Sequence, residues 1–177
     1  MRRFFIGLVA IAGLGLDTPA AAQVSFEGAR VIDAIDGPTL QTVLAEVGAA
    51  TSPLDDEENT LRVGFPNGMR GVARRMACID NGSEGDAEES ACKGLILLGY
   101  FSRPDDVSPE RAQAATRQFG LEQNLASVVI NDQGEHVVKA YVIFDGGITM
   151  ANLAVRVALF GESVQAYQRM LYGVDGG

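Results

Sequence analysis

Residues 92–101 read Cys-Lys-Gly-Leu-Ile-Leu-Leu-Gly-Tyr-Phe. The four residues 95–98 are all apolar, whereas a strand with one solvent-facing side alternates apolar and polar residues. A strand that is apolar on both sides belongs in the middle of a sheet, where both of its faces are covered. The sequence therefore predicts a central, covered strand here, and the flanking segments must supply its neighbours.

Four further segments carry strand patterns. Leu61, Val63 and Phe65 alternate with arginine and glycine, which is typical of a strand with one buried face. The sequence Asn131-Asp132-Gln133-Gly134 separates two later apolar stretches and predicts a hairpin turn. Residues 52–58 are acidic and are expected to form a turn or loop. The five predicted strands span residues 61–65, 69–79, 92–101, 125–130 and 136–144.

Three segments have helical patterns, each with a recognisable start. Asp36-Gly37-Pro38 places proline in a first turn, and Ser108-Pro109-Glu110 combines a capping hydroxyl, a proline and an acid. Thr149 can cap the last helix. Gly48 and Gly120 can end the first two helices. In the last helix an apolar seam steps by four and three residues, and it consists of Leu153, Val157, Phe160, Val164, Tyr167 and Leu171.

The predicted order is helix, three strands, helix, two strands, helix. That order indicates a single α+β domain with an antiparallel sheet flanked by helices. We assign residues 37–173 to this domain and residues 23–36 to a polar leading segment.

The N-terminus has the pattern of a secretory signal peptide. Arg2 and Arg3 precede an apolar run over residues 4–16, and Ala20-Ala21-Ala22 supplies the small residues of a cleavage site. The apolar run is too short for a membrane-spanning helix, which needs roughly 20 residues. We expect cleavage after Ala22, no membrane insertion afterwards, and a periplasmic or secreted protein.

Charge narrows the class of partner. Without Arg2, Arg3 and Asp17, the remaining residues carry 12 Lys and Arg against 22 Asp and Glu. Nucleic-acid binding depends on basic residues that release counterions from phosphates. So acidic a chain is expected to bind no nucleic acid.

The two cysteines, Cys78 and Cys92, flank an acidic stretch at residues 80–89. In an oxidising compartment they are expected to form a structural disulfide at the base of this loop. A redox-active or metal-binding pair is the alternative, although catalytic pairs usually have C-x-x-C spacing and metal sites need more ligands.

With this order of helices, strands and turns, the chain resembles the YbjN family, whose members are labelled bacterial sensory transduction regulators. The resemblance covers about residues 37–172 and depends on the paired cysteines, the hairpin Asn131-Asp132-Gln133-Gly134-Glu135, and Asp145-Gly146-Gly147-Ile148-Thr149 before Asn152-Leu153. It implies a fold like that of type III secretion chaperones, and it supplies no catalytic residue or cofactor. Phe119-Gly120 stands where family members often carry Trp-Asn, so any function of that Asn is lost here.

No residue pattern indicates a reaction. His136 is the only histidine and, beside a hairpin turn, is expected on the surface of a strand. Ser163 lies in a Gly-Glu-Ser-Val-Gln sequence that lacks the second glycine of a nucleophile elbow. The acidic loop has Ala91 where an EF-hand requires a bidentate glutamate. We therefore expect no catalytic residue, no metal and no cofactor, and an enzyme, such as a hydrolase of unrecognised type, is the least favoured reading.

The remaining functional material is apolar. Val155 and Leu159 extend the seam of the last helix beyond what one sheet face requires, and they form a candidate surface for a protein or peptide partner or a homodimer. Burial of these two residues by the N-terminal helix is the alternative. A second hypothesis is a periplasmic small-ligand sensor with a pocket between the sheet and the last helix near Phe101, Phe119 and Tyr141.

Overall fold

The computed structural model describes residues 25–54, 57–79 and 90–173. The predicted α+β class is confirmed, with three helices and an antiparallel sheet. In chain order the elements are β1 (Val31–Ile32), α1 (Gly37–Glu46), β2 (Ala50–Pro53), β3 (Thr60–Gly64), β4 (Arg70–Ile79), β5 (Ala91–Phe101), α2 (Pro109–Glu122), β6 (Ser127–Ile130), β7 (His136–Ile143), β8 (Ile148–Thr149) and α3 (Met150–Tyr172).

The main sheet has six antiparallel strands in the order β2-β3-β4-β5-β7-β6. The apolar strand β5 lies inside the sheet between β4 and β7, as predicted. The prediction that both faces of β5 are covered is wrong. Leu95 and Leu97 face the helices and are buried, whereas Tyr100, on the opposite face, is exposed. The helices pack on one face only, and we call the other face the open face.

The helices begin where the sequence predicts. The Asp36 carboxylate accepts a hydrogen bond from the Thr39 N–H at 2.7 Å, and Ser108 and Thr149 cap α2 and α3 in the same way. These caps satisfy N–H groups that have no partner within a helix. The predicted end of α2 at Gly120 is wrong, because Gly120 does not adopt the positive φ of a helix-ending glycine and the helix continues to Glu122.

The core lies between the helices and the inner face of the sheet. At Gly99 a Cβ atom would stand 3.1 Å from both Val164 methyl groups, so the missing side chain lets α3 lie close to β5. The Phe65 and Phe160 rings pack at 6.0 Å between their centroids. The seam of α3 is buried along its whole length, as its spacing predicts.

Short strands extend the fold beyond the prediction. Residues 50–53 were expected in part as a loop, but they form β2, which pairs with β3 at the edge of the sheet. Residues of the leading segment also belong to the domain, because β1 pairs with β8 and both Ile32 and Ile35 are buried. The folded unit therefore begins before residue 37.

Two predicted features fall on residues outside the described ranges: the signal peptide at residues 1–22 and the acidic loop at residues 80–89. Within the described ranges, none of the helices has both the length and the hydropathy needed to cross a membrane.

Candidate functional site

The open face carries a cluster of basic residues. The strand registers place Arg62, Val72, Leu98 and Lys139 side by side across four strands. A neighbouring row joins Arg74, Ile96 and Tyr141 in the same way. Residues two apart on a strand lie on the same face, so the same registers show which other residues of these strands lie on the open face. The cations of this face are Arg62, Arg70, Arg74 and Lys139, and its aromatic residues are Tyr100 and Tyr141.

A groove of 640 Å³ lies at the β2 side of this face. Arg62 and Arg70 line it from neighbouring strands, and Tyr100 lines it from β5. Gly64 has an open space where a side chain would stand, with no atom nearer than 3.9 Å to a Cβ built there. The groove thus offers two guanidinium groups and a phenol around a floor of backbone and small side chains.

The phenol stays protonated at neutral pH. Tyr100 is half-exposed, and the partial burial of its phenol raises its pKa; the carboxylates of Glu57 and Glu135 raise this pKa further, while Arg74 lowers it. The Tyr100 hydroxyl is therefore available as a hydrogen-bond donor. Neither Glu57 nor Glu135 belongs to a strand of the sheet.

Charge is unevenly distributed over the chain. The segment 23–177 contains 12 Lys and Arg residues and 22 Asp and Glu residues. Four of those 12 cationic residues lie on the open face. Within the paired parts of the described strands, no acidic residue occupies an open-face position. This face can attract a negatively charged group that the rest of the surface repels.

Comparison with known proteins identifies the architecture. The solved structure of YbjN from E. coli, a protein proposed to be a transcription regulator, matches with a TM-score of 0.53 over 81% of this chain and 93% of that chain. The chain has the YbjN fold. The architecture that the sequence motifs implied is thereby confirmed, and at 13% identity the likeness shows the fold alone.

A second solved structure, of a HopA1–SchA chaperone–effector complex, matches the YbjN fold of this chain more loosely. Its TM-score is 0.47 at 12% identity, over 74% of this chain and 94% of that chain. No family model and no curated protein matches the chain.

The predicted disulfide is present in this YbjN fold. Cys78 on β4 lies directly opposite Cys92 on β5, and the two sulfur atoms are bonded. The bond joins the two strands that precede and follow residues 80–89. No group of three or more potential metal-ligating side chains occurs within residues 25–54, 57–79 and 90–173.

The expectation for His136 was wrong. Only 2% of its surface is exposed, because its position on β7 points toward the helices, as do Val138 and Ala140. Its Nδ1 is hydrogen-bonded to the Tyr167 hydroxyl, which also lies 3.0 Å from the Thr116 hydroxyl oxygen. The three side chains join β7, α3 and α2 in a buried polar cluster, which we call the His136 cluster.

The His136 cluster makes stability depend on pH. Burial lowers the pKa of His136, with Arg103 contributing in the same direction, so the folded protein disfavours the charged ring. An unfolded chain protonates histidine near pH 6.5. Stability is therefore complete above about pH 6.5 and declines as the pH falls from there toward the lowered folded pKa, with a slope of at most about 1.4 kcal/mol per pH unit.

Urea unfolding between pH 7.5 and 5.5 measures this decline. The variant His136→Asn keeps a polar group beside Tyr167 but has no imidazole, so its stability should change less over the same interval. Because the chain has one histidine, its ring proton resonances report the folded pKa directly. A folded pKa above 6.5, or equal pH dependence in both proteins, would contradict the assignment.

The predicted small-ligand pocket is not assembled. Phe101 and Phe119 are buried against Tyr167, at 5.6 and 5.3 Å between ring centroids. Tyr141 lies on the open face, on the opposite side of the sheet. The sequence spacing did not show that odd-numbered residues of β7 face away from the helices.

The candidate partner surface on α3 is exposed. Val155 retains 57% of its accessible surface and Leu159 retains 43%, so α1 does not bury them. Nothing in the described residues indicates what covers this patch. The basic open face was not predicted from the sequence, although the arginines at alternate positions of two strands were its signal.

Proposed function

We propose that this protein is an exported, non-enzymatic binding domain that holds an acidic segment of a protein partner against the open face. The observation that carries the proposal is the concentration of Arg62, Arg70, Arg74 and Lys139 on one sheet face of an otherwise acidic chain. Export is supported by the signal-peptide pattern and by the disulfide, which persists in oxidising compartments.

The chemistry of the open face favours a polypeptide over a simple anion. Aliphatic side chains separate the cations, since Val72 and Leu98 lie between Arg62 and Lys139 in one row. The Lys139 ammonium lies 5.9 Å from the centre of the Tyr141 ring. A peptide with alternating apolar and acidic side chains can contact both kinds of group, whereas inorganic phosphate contacts only the cations.

The direct test neutralises cations on this face. Arg62→Gln/Arg74→Gln is expected to weaken binding of a blocked peptide of alternating valine and glutamate by about tenfold, or about 1.4 kcal/mol. Both arginines are exposed on the open face, so the variant should remain folded. Isothermal titration calorimetry at low and moderate salt measures the change, and salt should weaken the wild-type complex more than the variant complex.

Arg30→Gln/Arg117→Gln is the matched control, because both residues are exposed outside the open face and the net charge changes equally. Equal affinity losses in the two double variants would show a general charge effect and overturn the assignment of the face. Binding of a short DNA duplex or of anionic lipid vesicles in preference to the peptide would overturn the class of partner.

A further inference from the structure

We propose that the uncovered edge of β7 accepts an extended segment of the partner as an additional strand. The strand β6 pairs with β7 only as far as Ser127 opposite Lys139. Beyond that point, the residues of β7 up to Ile143 pair with β5 on one side only. The main sheet thus has a gap in its edge, about four residues or roughly 13 Å long.

The backbone groups at this gap point outward. In antiparallel pairing, successive residues of a strand direct their N–H and C=O groups to opposite neighbours. The Phe144 N–H donates to the Lys93 carbonyl at 2.9 Å, so even-numbered residues bond toward β5. The Asn131 N–H donates to the Glu135 carbonyl on the other side. The N–H and C=O groups of Tyr141 and Ile143 therefore face the gap, where no described strand pairs with them.

A groove of 550 Å³ runs along this edge. Its walls come from β7, from β8 and from the first turns of α3. Two of the β7 side chains beside it are largely exposed, Tyr141 at 52% and Ile143 at 73%. A strand-adding peptide requires backbone N–H and C=O groups without a strand partner, beside exposed apolar side chains. The lining residues are Tyr141, Val142, Ile143, Gly147, Ile148, Thr149, Asn152 and Arg156.

Charge selects the occupant. Arg156 is the only charged residue of this lining, and its Nε donates to the Asn152 side-chain oxygen at 2.9 Å. A second copy of the chain paired across a twofold axis at this edge would bring its own Arg156 against the first. An acidic peptide pairs its carboxylates with that guanidinium instead. Side chains alternate along a strand, so apolar residues can contact Tyr141 and Ile143 while acidic residues face Arg156.

Strand addition rests on the proposed function and specifies how the acidic partner segment is bound. Tyr141 belongs both to the open face and to this edge, so an added strand continues the open face without a break. The cations of the open face then attract carboxylates of the partner that lie next to the added strand, and the edge of β7 holds that strand and fixes its direction and register.

Amide hydrogen exchange tests the edge directly. With the alternating valine–glutamate peptide bound to the wild-type protein, the amides of Tyr141 and Ile143 should exchange at least about tenfold more slowly than in the free protein. The amides of Ala140 and Val142 already bond to β5 and should change little. Unchanged exchange at Tyr141 and Ile143 under saturating peptide overturns the proposal. Protection that rises with protein concentration alone also overturns it, because the occupant is then a second copy.

N-methylated peptides give the second readout on the unaltered protein. Methylation of the amides on one edge of the peptide removes the donors that face β7 and should weaken binding about tenfold. Methylation of the opposite edge leaves those donors intact. If the two peptides bind equally while Arg62→Gln/Arg74→Gln still weakens binding, strand addition fails and the binding face stands. If that double variant also has no effect, both proposals fail.

A variant of the protein completes the comparison. Ile143→Pro removes an N–H that points into the gap and no hydrogen bond to β5, whereas Ile143→Thr keeps that N–H. The proline variant should bind the peptide about tenfold more weakly than the threonine variant. Equal affinities contradict the proposal, and should the proline variant fail to fold, the methylated peptides decide.

Discussion

Replacement of Tyr167 by alanine is expected to lower the free energy of unfolding by about 4 kcal/mol. Tyr167 is fully buried, and its ring packs edge-on against Phe101 and Phe119. Its hydroxyl is hydrogen-bonded to His136 and Thr116. The substitution leaves a cavity where three elements meet, and it deprives two other polar side chains of a partner. Urea unfolding monitored by circular dichroism measures the loss.

Two further variants separate packing from hydrogen bonding. Tyr167→Phe keeps the ring and removes only the hydroxyl, so it should cost about 1–3 kcal/mol. Tyr172→Ala removes a partly exposed ring from the end of the same helix and should cost less than Tyr167→Ala. If the free energy of unfolding of Tyr167→Ala lies within about 1 kcal/mol of the wild-type value, the His136 cluster does not contribute substantially to stability.

Loss of the disulfide is the second large effect. The bond joins residues separated by 14 positions, and closing a loop of about 15 residues stabilises a folded protein by roughly 3 kcal/mol. For a domain of this size, the corresponding fall in melting temperature is about 6–12 °C. Scanning calorimetry of the disulfide-bonded protein, with and without reductant, measures it.

Cys78→Ala/Cys92→Ala is the control for the disulfide. It should melt near the temperature of the reduced wild type and should not respond to reductant. Thiol labelling of the untreated wild-type protein should find no reactive cysteine. Two reactive thiols in protein recovered from cells, or a full-length chain confined to the cytosol, would contradict both the disulfide and export.

The elements with strong local signals could be predicted from the sequence. The strands β3 to β7 have alternating or continuous apolar residues, and the helices have capping residues that the structure uses. The strands β1, β2 and β8 have two to four residues each and weak patterns of their own. The strands β1 and β8 pair with each other but lie more than one hundred residues apart in the sequence. No local feature of the sequence therefore reveals their pairing.

The candidate site could be predicted only in part. Alternation along β3 and β4 separates Arg62 and Arg74 from the buried positions Val63 and Ala73. Whether those arginines lie beside Lys139 depends on the register of four strands, which propensity does not determine. The turn beside His136 suggests a surface position, whereas the alternation of His136 with Val138 and Ala140 places it on the buried face.

The pairing of β1 with β8 links the beginning of the folded unit to the start of its last helix. Val31 pairs with Thr149, although nearly the whole sequence of the domain lies between them. The helix α3 can cover β5 and β7 only after it has been synthesised. A chain emerging from a ribosome cannot form this pairing until residues 148 and 149 have emerged, and it cannot cover the sheet until α3 follows. The domain therefore reaches its native structure only after residue 172 has emerged and not by stepwise growth from the N-terminus.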